Sequence, residues 1–311
     1  MPIEPSPRAE AGAGNVKRPL VFLVRKMALG DVLWIEPVIR QLASKHKRVI
    51  VYTRYPELFL NYPLANVRVT NRLRLAEKLW RFVGKALPFT RLHIGLDRVY
   101  ENNPKVHFLS AYQQAAGLPM TREYPRLYLS KAELDFRPKE AGSGKYVVLH
   151  LESFATQNFR KVYGVEWEKI VSYLSARTFT VIQTGKDPAQ IPGAVVAKGN
   201  IREMIALIHG ASFFVGLDSG PSHIAAALGV PALIFFGAIN PDFRHFRDQL
   251  KGQILQQPCE CAGWYHETNG QAGSSCELLG DTGTPKCVLF TTTYVLEQIQ
   301  LLIREYQLLA R

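Results

Sequence analysis

Residues 215–231 read Val215-Gly216-Leu217-Asp218-Ser219-Gly220-Pro221-Ser222-His223-Ile224-Ala225-Ala226-Ala227-Leu228-Gly229-Val230-Pro231: a strand end, a tight turn and a helix start in one run. Phe213 and Phe214 with Val215 form a buried-strand pattern, Gly220 admits an unusual backbone, Pro221 suits the first helical position, and Ile224 to Leu228 open an apolar helix. In that geometry the free backbone N–H groups of Ser219, Gly220 and Ser222 point above the strand ends, where a helix N-terminus favours an anion. A phosphate-bearing ligand is the expectation. An ordinary α/β turn capped by Asp218 or Ser219 would give the same spacing.

The alternation of apolar strand runs with helical periods extends on both sides. Strands are predicted at Leu20–Val24, Val49–Tyr52 and Val67–Val69, with helices at Pro37–Lys45, Leu73–Leu87 and Leu109–Ala116. After Pro138, residues 139–144 (Lys-Glu-Ala-Gly-Ser-Gly) have linker composition. A second set follows: strands Tyr146–His150, Phe179–Gln183, Phe213–Leu217 and Ala232–Phe236, with helices Val165–Ala176, Ile201–His209 and Pro221–Leu228 between them. This pattern predicts an α/β chain with two doubly wound parallel sheets. Ligands of such sheets sit at the carboxyl ends of the strands, and a cleft between two such domains brings two substrates face to face. The expected division is a disordered tail over 1–16, an N-terminal domain over 17–140, a C-terminal domain over 141–290, and a helix, Thr292–Leu309, packing back on the N-terminal domain.

A chain of 311 residues with 47% hydrophobic and 21% charged content is ordinary for a globular protein of two domains. No apolar run reaches the length of a membrane span, and the first sixteen residues lack the apolar core of a signal peptide, so a cytoplasmic location is expected. The net charge of +12 is concentrated: Lys and Arg outnumber Asp and Glu by 24 to 12 in residues 1–140 and balance at 14 each in 141–311. A basic N-terminal half suits an anionic ligand or an anionic membrane surface, and a merely solvated basic face would look the same. Within it, Leu73–Leu87 is a basic amphipathic helix, with Leu75, Leu79, Phe82 and Val83 on one side and Arg74, Lys78, Arg81 and Lys85 on the other. Such a helix can lie in a membrane interface; the expectation is that it docks its apolar side on its own domain, as most amphipathic helices do. Nothing in the pattern points to nucleic acid.

Three ordered stretches resemble one family. Asp218-Ser219-Gly220-Pro221-Ser222-His223 with Gly229-Val230-Pro231 and Leu233 to Gly237 is similar to the donor-site signature of the family nine glycosyltransferases, the heptosyltransferases of lipopolysaccharide assembly. Leu20–Val24 followed by Arg25-Lys26-Met27-Ala28-Leu29-Gly30-Asp31 resembles that family's opening strand and Leu-Gly-Asp loop, and residues 199–208 resemble the segment before the donor strand. The resemblance implies a GT-B fold of two Rossmann-like domains facing a cleft, and inverting transfer of a heptose from ADP-heptose to a lipopolysaccharide core or related surface glycan, with no catalytic cofactor. A rhamnosyl or hexosyl donor, a non-catalytic nucleotide-sugar-binding or membrane-surface protein and, less closely, an epimerase are the alternatives. Implied partners are an ADP-sugar, an anionic glycolipid or glycan, and the inner-leaflet membrane surface.

The resemblance also assigns roles. Asp31 is implied as the base that takes the acceptor proton; carboxylates are weak bases in water, so this works through position, and helix capping is the competing role. Lys161 falls where the family has a phosphate-contacting lysine, although Tyr163-Gly164 stands in place of the family's Trp-Pro and the loop from His150 is longer, so Arg160 is the alternative. With Ser219 and Gly220 these cations would hold the leaving diphosphate without a metal ion. Asp218 and His223 would order sugar and diphosphate, or else cap and pack the helix. Thr184, Gly185 and Met204 are further implied donor contacts, and Arg25 and Lys26 acceptor contacts.

All four cysteines lie within 259–287, as Cys259, Cys261, Cys276 and Cys287. Disulfides are rare in the cytoplasm, so the cluster suggests a structural zinc or iron site, with free thiols as the alternative. Some relatives share a Cys-rich tail, one of them binding iron.

Overall fold

A computed structural model of the chain describes residues 18–88, 92–153, 158–259, 262 and 284–309. The first sheet has the order β3-β2-β1-β4, from Arg18–Val24 (β1), His46–Tyr52 (β2), Val67–Thr70 (β3) and His93–Gly95 (β4). The second has the order β10-β9-β8-β5-β6-β7, from Lys145–His150 (β5), Phe179–Thr184 (β6), Val195–Ala197 (β7), Phe213–Leu217 (β8), Ala232–Phe235 (β9) and Gly252–Leu255 (β10). Every pairing in both sheets is parallel. All carboxyl ends within a sheet therefore open on one edge, and the order reversal beside β1 and between β5 and β8 makes a crevice there. The expected doubly wound α/β class is what the chain adopts.

Helices Leu29–Leu33 (α1), Glu36–Lys45 (α2), Leu75–Ala86 (α3), Phe108–Ala116 (α4) and Lys131–Leu134 (α5) belong to the first half of the chain. Trp167–Ser175 (α6), Ile201–His209 (α7), Gly220–Ala227 (α8) and Thr292–Glu305 (α9) belong to the second. Their starts follow capping chemistry: Asn200 accepts from Arg202 and Glu203 N–H, and Thr291 accepts from Tyr294 N–H. Central strands read as unbroken apolar runs, with Val147, Val148, Phe213 and Phe214 fully buried, because helices cover both faces. The strands that sequence reading passes over, β4, β7 and β10, are three or four residues long and lie at sheet edges.

Two expectations are corrected. α9 packs on the C-terminal domain and not across the N-terminal one: Val295, Ile299, Leu302 and Ile303 join a core cluster with Val147, Ile170, Leu174 and Val181. Tyr306 OH accepts from Gly252 N–H at 2.8 Å and Lys145 Nζ donates to Leu308 O at 2.8 Å, fastening the helix end to the second sheet. Among the described residues its apolar stripe is covered by α6, β9 and β10.

α3 is the second. It lies with its polar residue inward: Glu77 is 6% exposed, held by Arg68 at 2.5 Å, Arg48 at 3.4 Å and the Arg74 backbone N–H at 2.8 Å. Arg81 leans over the Tyr52 ring, and Gly84 meets Leu92 and His93. The helical period then turns Leu75, Leu79 and Phe82 outward, where they are 85%, 64% and 69% exposed, with Trp80 at 52%. Ion pairing of Glu77 decides which face is buried. Among the described residues no helix is long and apolar enough to cross a membrane.

Candidate functional site

α1 and α8 start at the carboxyl edges of their respective sheets and pack N-terminus against N-terminus. A Cβ on Gly30 would stand 2.5 Å from His223 Cδ2, and one on Gly220 would stand 2.8 Å from Leu29 Cδ2. Two glycines thus allow an approach that any side chain would block. Ala28, just before α1, holds φ 63° with a side chain that rarely adopts it, a local strain of the kind that functional turns retain.

The α1 turn carries Asp31, which pairs with Arg25 Nη2. Arg25, which the resemblance assigns to the acceptor, is 4% exposed: it also donates to Leu96 O at 3.1 Å, lies 3.7 Å from Glu101 and stacks on Tyr100 and Tyr112. Enclosure on all these sides leaves Arg25 little open surface and seats it against Asp31. Among the described residues its Nε, Tyr112 OH and Glu101 Oε2 have no hydrogen-bond partner, so the surroundings of Asp31 keep unused polar capacity. Lys26 remains half-exposed beside Asp97, at 3.4 Å.

On the α8 side, Asp218 is 7% exposed, and Arg160 Nη1 reaches its carbonyl at 3.2 Å and its Oδ2 at 3.5 Å. His223 Nε2 is 3.7 Å from Asp218 Oδ1, and its Nδ1 accepts from Trp34 Nε1 at 3.1 Å. Lys161 is exposed and, with Arg160, Phe159, Asp218 and Gly237, lines a small recess above the ends of β8 and β9. No carboxylate among the described residues pairs with it, so its ammonium is available to a ligand while Arg160 is occupied in holding Asp218.

The turn itself differs from expectation. Ser219 N–H donates to Ser222 Oγ at 3.2 Å, Ser222 N–H to Ser219 O at 3.1 Å, and the Ser219 hydroxyl to Leu217 O at 3.1 Å. Ser222 at the third helical position completes a capping box and consumes two of the three N–H groups expected to face an anion. Of the three, Gly220 N–H remains. Further along the edge, Thr184 is buried with its carbonyl 2.9 Å from His150 Nδ1, and Gly185 lies against the Glu152 carboxylate, which caps Lys186 and Asp187 N–H. Met204, on α7, packs on the core cluster with part of its surface open.

Between the two turns lies an aromatic seam that sequence reading missed. His223 stacks on His245 at 4.5 Å, His107 stacks on Phe246 at 4.0 Å, and Trp34 touches His107, Phe108, Tyr124 and Phe246. Burial, then the neighbouring cations and imidazoles, pushes His107 down to about 3 and holds His223 and His245 well below the ordinary histidine range. The signal was the run Asn240 to Phe246, rich in aromatic and basic residues just past a strand end.

Of the cysteines, Cys287 is buried and Cys259 half-buried, both against the same core cluster; Cys261 and Cys276 lie outside the described residues. Among the described residues no group of three or more His, Cys, Asp or Glu could hold a metal.

Comparison with known proteins agrees with this geometry. The family model described as glycosyltransferase family 9 (heptosyltransferase) matches residues 101–262. Lipopolysaccharide heptosyltransferase 3 of Escherichia coli is 33% identical over 129 residues, a stretch covering 36% of this chain and 36% of that protein, so the match spans about a third of the length of the curated relative. Among solved structures, the iron-containing dodecameric glycosyltransferase TibC from enterotoxigenic E. coli H10407 superposes with a TM-score of 0.72 at 19% identity, over 93% of this chain and 77% of that one. The same heptosyltransferase in complex with ADP-D-β-D-heptose gives 0.71 at 18%, with the same coverage. At such identity the likeness is one of fold, the GT-B arrangement of two Rossmann-like domains.

Proposed function

The chain belongs to glycosyltransferase family 9, and we propose that it transfers a heptose from ADP-heptose, with inversion, to a lipopolysaccharide core or related anionic surface glycan. The observation that carries this reading is the meeting of Asp31 on one domain with the Asp218–His223 turn on the other through the α1–α8 contact. A similarly folded heptosyltransferase binding ADP-D-β-D-heptose supports the donor.

In this mechanism Asp31, oriented by Arg25, accepts the proton of the acceptor hydroxyl as its oxygen attacks the anomeric carbon. The bond from that carbon to the diphosphate breaks on the opposite face, and its electron pair leaves with ADP. One displacement inverts the centre. Lys161 and the Gly220 N–H stabilise the charge that develops on the leaving diphosphate, and Arg160 fixes Asp218 toward the sugar. Thr184, Gly185 and Met204 border the nucleotide side, and Lys26 the acceptor side.

The acceptor end belongs at an anionic membrane surface on this reading. α3 presents Leu75, Leu79, Trp80 and Phe82 outward with Lys78 and Lys85 beside them. Full burial of such side chains stabilises by about 1.5–3 kcal/mol each, and a basic residue near an anionic surface adds about 1 kcal/mol. Pairing this face with the same face of a second copy would oppose positive charge to positive charge.

Thermal shifts with a panel of ADP-, UDP-, GDP- and dTDP-sugars test the donor, since a ligand selective for the folded state raises its melting temperature. ADP-heptose is expected to give the largest rise. Preference for another nucleotide overturns the heptose assignment.

A further inference from the structure

Among the described residues three arginines are buried: Arg25, Arg202 and Arg244. Arg25 has Asp31 and Glu101, and Arg202 holds Glu133 through two hydrogen bonds of 2.6 and 2.7 Å. Arg244 has no such partner among the described residues. Its side chain, in a residue 5% exposed, makes one hydrogen bond, Nη1 to Phe243 O at 3.3 Å, and no carboxylate among the described residues lies within ion-pair distance. The guanidinium is instead held between two rings, 5.0 Å from the centre of Tyr100 and 4.8 Å from that of Phe108.

A buried charge without a counter-ion is strongly unfavourable, and ring stacking offsets only part of the cost. Its location explains why it would be kept. Arg244 belongs to the loop after β9, in the C-terminal domain, yet both rings belong to the N-terminal domain. Tyr100 also carries Arg25, the partner of Asp31, and Phe108 lies against His223, 5.5 Å between ring centres. The guanidinium therefore sits between the candidate base and the donor signature. The planar fork of arginine matches a phosphate or carboxylate through paired hydrogen bonds.

We propose that Arg244 is an anion-binding residue that completes its ion pair with a phosphate or carboxylate on the acceptor. On the proposed reading the donor diphosphate is met by Lys161 and Gly220 on the C-terminal domain, whereas Tyr100, one of the two rings that hold Arg244, also carries Arg25, the partner of Asp31, where the acceptor hydroxyl would lie. The acceptor assignment rests on the glycosyl-transfer reading; the anion site does not.

Melting temperatures of the intact protein test it, for wild type, Arg244→Met and Arg244→Lys, with saturating ADP present, on adding inorganic phosphate or acetate at constant ionic strength. Wild type is expected to be stabilised by at least one of these anions, and the preferred one distinguishes phosphate from carboxylate. Arg244→Met should melt no lower than wild type, because it removes an unpaired buried charge, and should lose the anion response while keeping the ADP response. Arg244→Lys should keep part of the anion response. Absence of any anion response in wild type, its retention in Arg244→Met, or loss of the ADP response in that variant overturns the proposal. If ADP stabilises no variant, the glycosyl-transfer reading fails separately, and the anion response still decides the role of Arg244.

Discussion

Trp34 donates its indole N–H to Nδ1 of His223 across 3.1 Å, joining the first domain to the first turn of α8. The bond requires a neutral imidazole, because a protonated ring has no acceptor nitrogen. His107 and His245, packed in the same seam, are likewise favoured neutral by burial.

Stability should therefore depend on pH with a definite sign. These histidines titrate near 6.5 when unfolded and far lower when folded, so the unfolded chain binds more protons between those values. The stabilisation is present above pH about 6.5 and is lost as pH falls toward about 3, at up to about 1.4 kcal/mol per pH unit for each histidine. Denaturant midpoints between pH 7.5 and 5 should decline from about 6.5 downward. Flat midpoints over that span would show that the seam tolerates charge.

Asp31→Asn should lower turnover by about 10²–10⁴-fold and leave the ADP dissociation constant nearly unchanged, since a base acts on the transition state. Near-wild-type turnover removes Asp31 from the chemistry.

Lys161 and Arg160 should separate. Lys161→Ala is expected to weaken ADP about tenfold or more by calorimetry, the loss of a charge-assisted phosphate contact. Arg160→Ala frees the Asp218 carboxylate and should act more on turnover with the intact sugar donor than on ADP affinity. The opposite ranking would shift the phosphate contact by one residue.

Metal content is a separate question, raised by four cysteines within 259–287. Elemental analysis of protein purified without added metal should find about one zinc or iron per chain, lost in the Cys276→Ser, Cys287→Ser double variant along with stability. Metal-free protein of full stability would leave these as plain thiols.

Sedimentation with vesicles addresses α3. Binding should be greater for anionic than neutral lipid and fade with salt, and Leu79→Gln with Phe82→Gln should abolish it without lowering the melting temperature, both side chains being exposed. Retained binding would exclude this helix as the contact.

Much of the second sheet was legible because its strands are buried on both faces and read as unbroken apolar runs; β8 and α7 have the predicted ends. The glycine turn at 220 was equally plain. Orientation was not. The wheel for α3 shows two faces but not which one finds a partner, and the ion pairs of Glu77 with Arg68 and Arg48 cross from another element. Likewise the capping box of Ser219 and Ser222 is local and could have been read from spacing, whereas Trp34 and His223 lie 189 residues apart and meet only through topology.

Gly30 and Gly220 give the site a ruler. A single carbon added at either would stand 2.5 Å from His223 or 2.8 Å from Leu29, and both neighbours are seated in packed surroundings. The distance between the two lobes at this contact is thus set by two missing methyl groups as much as by any bond. Side-chain volume at these two positions graduates that distance, so two codons set how far Asp31 stands from the donor turn while Asp31, Lys161 and Asp218 keep their own side chains.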